Sequence, residues 1–342
     1  MRRLCFIISA FIVYHQSLLA QSLSINRQLF FSDDKVIEAT LTTDIKKLIT
    51  QKKTSAWQPA SITMQFPDSS VINENISLQP RGIDRKENCD MASLMLNFRN
   101  PEAPKLSPLK QLKLVGGCSK AEADEELLLK EYLVYKIYNF ISPMSFRVRL
   151  LHINYKDSRQ KARSYSQYAF LIEDIKALAA RNNCVEKKNR VYGLDAADRQ
   201  QFNIVCIFQY MVGNTDWSVR QYHNIKLIVP KNDTTARPYV IPYDFDYAGL
   251  VNAPYAIPNE RLAITSVTER LYRGFARTME ELQANLSVFK EKKDVIMFYL
   301  TDFPLLSIKV RKDMSRYVEA FYKIIDDKNS VRSVFITNAR VN

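Results

Sequence analysis

GNTDWSVRQYHN (residues 213–224) leads into the apolar run IKLIV (225–229), a polar turn KNDTTARP (231–238) and YVIPYDFDYAG (239–249). Two β-type runs on either side of a polar turn predict a hairpin. The first run follows Asn224 and the second ends just before Asp244. Because antiparallel strands bring their outer ends together, we expect these two residues to lie at the same end of the hairpin.

Asn224 and Asp244 carry oxygen donors of the kind that bind Mg²⁺ or Mn²⁺, and Asp216 lies on the loop just before them. Three such groups on one scaffold can position a metal ion, a phosphate and an attacking hydroxyl, which is what phosphoryl transfer mostly requires. The structural alternative is that Asn and Asp are ordinary turn residues here.

The flanking sequence separates into a strand-rich half and a helical half. Residues 36–41, 61–65, 76–79, 91–98, 111–115, 146–155 and 166–172 have strand patterns, interrupted by one helical pattern over residues 121–140. Asp198 can cap an apolar helix that Gly213 ends, and amphipathic helical patterns follow from residue 266. We therefore expect a β-rich lobe with one helix over residues 21–170, a mainly helical lobe over residues 171–342, and a boundary near residues 168–178.

Within the 121–140 helix, Glu131 has apolar or aromatic neighbours at helical spacing: Leu127, Leu128, Val134, Tyr135 and Tyr138. It is therefore predicted to face inward, where a carboxylate is costly unless a cation meets it. Lys113, on the opposite side of its strand from Leu112 and Leu114, is the candidate partner. The alternatives are a purely structural ion pair or a glutamate that reaches solvent at the helix edge.

The first twenty residues have the pattern of a cleavable secretory signal, because Arg2 and Arg3 precede an apolar run and the small residue Ala20 follows. The alternative is a retained membrane anchor. We expect export to the periplasm, cell surface or medium, and no membrane-spanning segment after cleavage. The net charge of the whole chain is +13, but its bases are scattered, so the sequence does not predict nucleic-acid binding.

Cys89, Cys118, Cys184 and Cys206 remain after the leader, an even number that suits disulfides in an oxidising compartment. Cys89 lies just before one predicted strand and Cys118 just after the next. Antiparallel pairing of these strands would place the two thiols side by side, so the sequence predicts a Cys89–Cys118 disulfide.

The order of these pieces along nearly all of the mature chain resembles the spore coat protein H family of atypical kinases, in the form found in exported proteins of Bacteroidota. The matching segments are Pro80-Arg81-Gly82, LKLV, KEYLVYKIYN, YAFLIEDI, GNTDW, HN and IPYDFD. The resemblance implies an α+β, bilobal protein-kinase-like fold that uses ATP with Mg²⁺ or Mn²⁺ to phosphorylate a hydroxyl.

The resemblance also implies a role for each candidate residue. Asp216 would be the acidic residue of the catalytic loop, with Asn224 and Asp244 as metal ligands. Lys113 paired with Glu131 would hold the nucleotide phosphates, the turn at Arg81 and Gly82 would approach them, and the backbone near Glu173 and Asp174 would meet the adenine. The acceptor would be an unidentified exported protein or an envelope component.

Two interpretations remain open at this level. One is an ATP-dependent phosphotransferase, and the other is a non-catalytic binding or envelope-structural protein on the same scaffold. The basic motif of Arg270, Arg273 and Gly274 could contact a substrate phosphate, but we interpret it as closing a helix against the Asp216 loop.

Overall fold

The computed structural model describes residues 30–99, 101, 103–106, 109–188 and 196–340. The predicted secretory signal lies outside these residues. Contacts divide the chain into two compact units. We call them the barrel unit, Met1–Lys120 with Val148–Arg181, and the helical unit, Ala121–Arg147 with Asn182–Asn342. Each unit therefore combines two separate stretches of sequence, unlike the single boundary predicted near residues 168–178.

Seven strands of the barrel unit form a closed barrel in the order β1-β2-β3-β4-β5-β7-β6. Their bounds are β1 Ile37–Thr43, β2 Gln58–Gln65, β3 Val71–Arg81, β4 Ser93–Asn97, β5 Gln111–Gly116, β6 Val148–Asp157 and β7 Tyr165–Ile172. Neighbouring strands pair antiparallel except β1 and β6, which pair parallel with Ile37 opposite Leu151.

Strand alternation explains the barrel core. Successive side chains point to opposite faces of a strand, so every second residue turns inward. Leu112 and Leu114 of β5 are buried in the apolar core, together with Ile37 and Leu41 of β1. Lys113, between the two leucines, is half-buried and lies on the opposite side of β5, as the sequence predicted.

The expected bilobal protein-kinase-like fold is wrong. The parallel pairing of β1 with β6 closes the sheet on itself, and a closed seven-stranded barrel is not a bilobal kinase fold. The physical reason is that β1, itself predicted as a strand, pairs with β2 on one side and with β6 on the other, so the sheet closes without a free edge of unpaired backbone groups.

Three short α-helices of the described residues accompany the barrel. They are α1 Ile45–Thr50 and α2 Asp84–Asn88, and then α4 Ile175–Arg181, which follows the longer helix α3 Glu122–Ile141 of the helical unit in the chain. A disulfide joins Cys89 to Cys118 with a Cα–Cα distance of 4.6 Å, which confirms the predicted pairing. Cys184 and Cys206 are buried free thiols. A disulfide is typical of proteins that leave the reducing cytoplasm.

The helical unit contains α3 Glu122–Ile141, α5 Arg199–Val212, α6 Met279–Glu291, α7 Lys293–Thr301, α8 Ile308–Asp326 and α9 Lys328–Arg332. It also contains a small antiparallel sheet in the order β10-β9-β8, made of β8 Cys184–Glu186, β9 Ile225–Pro230 and β10 Tyr239–Pro242. In the part of the chain described, no helix is long and apolar enough to cross a membrane.

Helix α5 has the predicted ends and supports the small sheet. The Asp198 carboxylate accepts the N–H of Gln201, and Gly213 ends the helix with a left-handed φ of 68°. The Gln201 side chain then donates to Val240 O at 2.7 Å and accepts from Val240 N at 2.9 Å. This two-bond clamp fixes α5 against β10, so the loop after Gly213 starts from a rigid position.

Candidate functional site

The β9–β10 hairpin brings the two predicted metal ligands to one end. Ile225 pairs with Pro242 at the last register of the ladder, and Tyr243 N donates to Asn224 O at 3.0 Å. Asn224 therefore lies directly beside the residue that precedes Asp244. The Asn224 side chain is buried, whereas the Asp244 side chain is exposed.

Asp216 lies against this end of the hairpin. The Asn224 amide Nδ2 donates to Asp216 Oδ2 at 2.9 Å and to Asp216 O at 2.8 Å. His223 Nε2 lies 2.9 Å from Asp216 Oδ1, so the imidazole holds the second carboxylate oxygen. The structure thus brings Asp216 and Asn224 into direct contact, and His223 braces the loop.

Backbone geometry at the site is unusual. Tyr222, Asn224 and Asp244 have φ values of 57°, 51° and 66°, in the left-handed region that non-glycine residues rarely adopt. Such residues cost about 1 to 3 kcal/mol each and cluster at functional sites. The surrounding hydrogen bonds must therefore stabilise this conformation, because the residues would not adopt it alone.

Tyr135 of α3 fixes the backbone of Asp244. Asp244 N donates to the Tyr135 hydroxyl oxygen at 2.8 Å. Burial raises the pKa of Tyr135 well above its ordinary value, and the nearby charges of Glu131 and Asp244 raise it further. Tyr135 is therefore a neutral support. Glu131 is 2% exposed, which confirms that it faces inward.

Arg273 braces the Asp216 loop from the other side. Its guanidinium donates to Thr215 O and, at 2.6 Å, to Trp217 O, so it spans the residue between them. Arg270 likewise donates to Met211 O, in the last turn of α5, at 3.2 Å. The two arginines therefore connect the end of α5 and the Asp216 loop to one segment, which agrees with the interpretation that this motif closes a helix against the loop.

The donor chemistry at the hairpin end fits a hard divalent cation. Since both N–H bonds of the Asn224 amide go to Asp216, its Oδ1 is the acceptor that this side chain has left, and Asp244 follows at the same end of the hairpin. Magnesium is held through one or two protein carboxylates, with water and substrate phosphates as its other ligands. Within the described ranges, no group of three or more His, Cys, Asp or Glu residues could hold a metal ion.

The remaining predicted site residues lie in the barrel unit. Lys113 pairs across the sheet with Ile172, the residue before Glu173, so these two lie near each other. Arg81 ends β3, and Gly82 follows it with a φ of 86°. Because Lys113 and Glu131 belong to different units, their pairing stays a prediction.

The predicted adenine-binding segment has side chains with local structural roles. The Glu173 carboxylate is buried and binds Arg181, with Arg181 Nε 2.9 Å from Glu173 Oε1. Asp174 Oδ1 accepts from Lys176 N at 2.9 Å near the start of α4. A nucleotide contact here would use the backbone, as predicted, and this contact also stays a prediction.

Sequence reasoning did not identify Tyr135 or Asn214 as site residues. Asn214 is buried, and its Oδ1 accepts the N–H of Asp216 at 2.9 Å, which forms the turn that presents Asp216. The Gly-Asn-x-Asp pattern contains this turn signal. Tyr135 leaves no comparable signal, since its contact with Asp244 crosses from α3 to the hairpin.

No model of a known protein family matches this chain, and no curated protein matches its sequence.

Proposed function

We propose that this protein is an exported phosphotransferase that moves the γ-phosphate of ATP to a hydroxyl group, with Asp216 as the catalytic base. The observation that carries the proposal is that the Asp216 carboxylate contacts both His223 and Asn224 at one end of the β9–β10 hairpin. Asp244 lies at the same end, just after β10. The left-handed backbone of Asn224 and Asp244 also supports a functional role for this end.

Asp216 has the capacity for this role. A carboxylate offers about four lone-pair positions, and the contacts with His223 and Asn224 use one on each oxygen. The side chain is 37% exposed, so an acceptor can approach it. In the proposed step the acceptor oxygen bonds to the γ-phosphorus, its proton passes to Asp216, and the bond from that phosphorus to the ADP oxygen breaks.

Asn224 and Asp244 would hold Mg²⁺ or Mn²⁺, which would neutralise the charge of the nucleotide phosphates when bound. ATP as the donor is proposed from the resemblance to the spore coat protein H family. Lys113, Glu131, Arg81, Gly82, Glu173 and Asp174 are proposed nucleotide-binding residues on the same ground.

The acceptor is proposed to be an exported protein or an envelope component. The disulfide and the absence, from the described residues, of a helix that could span a membrane are compatible with export. The predicted secretory signal supports the same location.

A second candidate is a non-catalytic binding or structural protein. The observation in its favour is that hydrogen bonds hold Asp216 and its loop. His223 and Asn224 bind the Asp216 carboxylate, and Arg273 donates to the backbone carbonyls of the residues before and after it. A loop held in this way could serve only to support the hairpin.

Turnover separates the two candidates. The mature chain is incubated with Mn²⁺ and ATP, and release of ADP is followed. Asp216→Ala is expected to lower the rate by about 100-fold or more, because the proton acceptor is lost, while stabilisation by Mn²⁺ and ATP persists. Glu260→Gln, an exposed acid of the same unit, is the matched control and should leave the rate unchanged.

Equal rates in Asp216→Ala and the unchanged protein would contradict the proposed base. Absence of any turnover with both Mg²⁺ and Mn²⁺, in protein that carries the disulfide, would favour the non-catalytic candidate.

A further inference from the structure

A small cavity lies behind the loop that presents Asp216, within the helical unit. Its volume is about 160 Å³. Its lining includes Phe202, Trp217, Val219, Arg220, Arg273 and Arg340. Pockets for drug-sized ligands are about 300 to 1,000 Å³. This cavity therefore suits a small ion or a single functional group.

The cavity is strongly basic. Three of its lining residues are arginines, and none of the described lining residues is acidic. Burial and, after it, the positive charge of Arg340 lower the pKa of Arg273 to about 10, while the negative charge of Asp216 acts in the opposite direction. The two guanidiniums therefore lie close enough to repel each other, and an anion between them would relieve that repulsion.

Two buried donors at the cavity lack hydrogen-bond partners in the described part of the chain. They are Nε of Arg273 and Nε1 of the Trp217 indole. Trp217 is only 4% exposed, so solvent does not satisfy its N–H. Leaving a buried donor unpaired costs free energy, and an acceptor oxygen supplied by a ligand would recover it.

We infer that this cavity is a binding site for a phosphate group, held by Arg220, Arg273 and Arg340 beside the Trp217 indole. Guanidinium groups match phosphate oxygens geometrically and form short, charge-assisted hydrogen bonds. Arg273 already donates through one nitrogen to the Asp216 loop, so its orientation is fixed before any ligand arrives. The inference is independent of the proposed catalytic role of Asp216.

Tryptophan fluorescence reports directly on this site. The chain has two tryptophans, and Trp57 lies in the barrel unit. Trp57→Phe leaves Trp217 as the only tryptophan, and excitation at the red edge of the absorption band selects it over the tyrosines. Titration of this variant with inorganic phosphate is expected to give a saturable change in emission, whereas potassium chloride at matched ionic strength gives none.

Arginine variants test the contacts. Arg340→Gln in the Trp57→Phe background is expected to weaken phosphate binding about tenfold. Arg220→Gln, on an exposed turn where the fold does not depend on it, is expected to weaken binding severalfold. Arg237→Gln, on the exposed β9–β10 turn of the same unit, is the matched control and should bind as before.

Free phosphate and phosphate carried by a larger molecule are distinguished by a second titration, with O-phosphoserine. Tighter binding of O-phosphoserine would indicate a phosphorylated ligand, and tighter binding of inorganic phosphate would indicate the free ion. Either result supports the site. The inference is overturned if neither compound changes Trp217 emission beyond the chloride control, or if Arg220→Gln and Arg340→Gln both bind as tightly as Arg237→Gln.

Discussion

Gly213 shows how a single residue positions the candidate site. It ends α5 with a left-handed φ of 68°, and its carbonyl accepts from Gly249 N at 3.1 Å. A Cβ at this position would overlap the Tyr317 hydroxyl and lie 3.3 Å from Gly249 Cα. The sequence predicted this helix end correctly, because glycine after an apolar helix is a local signal.

Replacement of Gly213 by alanine is therefore expected to be costly. Left-handed backbone alone costs a non-glycine residue about 1 to 2 kcal/mol, and the overlap with Tyr317 adds to it. We expect Gly213→Ala to lower the free energy of unfolding of the helical unit by more than 2 kcal/mol in chemical denaturation. Gly116→Ala is the control, since its Cβ would lie 3.6 Å from the Tyr155 hydroxyl, an ordinary contact. A loss below 1 kcal/mol for Gly213→Ala would show that the turn can relax.

The sequence predicted single helices and hairpins better than it predicted contacts between distant segments. Helix α5 and the β9–β10 hairpin were predicted because their caps, turns and apolar periods lie within one segment. The Cys89–Cys118 pairing followed from the same kind of information, the ends of two neighbouring strands. The contact of Tyr135 with Asp244 was missed because it joins distant segments.

The start of α6 carries a pH-sensitive interaction. Glu281 completes a capping box with Thr278 and also binds Arg199 of α5, with 2.6 Å between Arg199 Nε and Glu281 Oε1. The hydrogen bond from Arg199, and then that from the Thr278 backbone, lower the pKa of Glu281 from 4.5 to about 2. A lowered carboxyl pKa stabilises the folded state above the unfolded pKa, and this stabilisation is lost as the pH falls toward the folded value.

We therefore expect Glu281→Gln to destabilise the protein by about 1 kcal/mol at pH 7, a modest value because the pair is partly exposed to solvent. The difference from the unchanged protein should shrink as the pH falls from about 4.5 to about 2. Urea denaturation across this range measures it. The exposed neighbour Glu280→Gln is the control, with an effect below about 0.5 kcal/mol. A difference that stays constant with pH would contradict the ion-pair explanation.

The disulfide constrains the barrel unit between α2 and β5. Cys89 and Cys118 are 29 residues apart, so the chain-entropy model gives about 3 to 4 kcal/mol of stabilisation. We expect reduction with dithiothreitol to lower the stability of the barrel unit by about this amount. The double variant Cys89→Ala/Cys118→Ala should be equally destabilised and should not respond to dithiothreitol. A dithiothreitol effect that persists in the double variant would mean that reduction acts elsewhere.

At the scale of the whole molecule, barrel closure is the feature that sequence reasoning did not predict. The parallel pairing of Ile37 with Leu151 joins the first and sixth strands, and no local pattern records which distant strand completes a sheet. The alternating residues of β1 and β6 suit an open sheet and a closed barrel equally well. The strand assignments could therefore be largely right while the predicted fold was wrong.

We propose that the hairpin end formed by Asn224 and Asp244 binds a divalent cation together with a nucleotide. The direct test is thermal melting, with Mn²⁺ and ATP, of the protein expressed without its predicted secretory signal, and ATP plus a chelator is the reference. A ligand at 100 times its dissociation constant stabilises a protein by about 2.7 kcal/mol, so we expect melting to rise by several degrees. Asp244→Ala should abolish the Mn²⁺-dependent part of this rise, because a hard cation held by so few carboxylates cannot lose one. Glu260→Gln, the control, should keep the rise. No Mn²⁺-dependent rise in the unchanged protein, or an equal rise in Asp244→Ala, would contradict the claim.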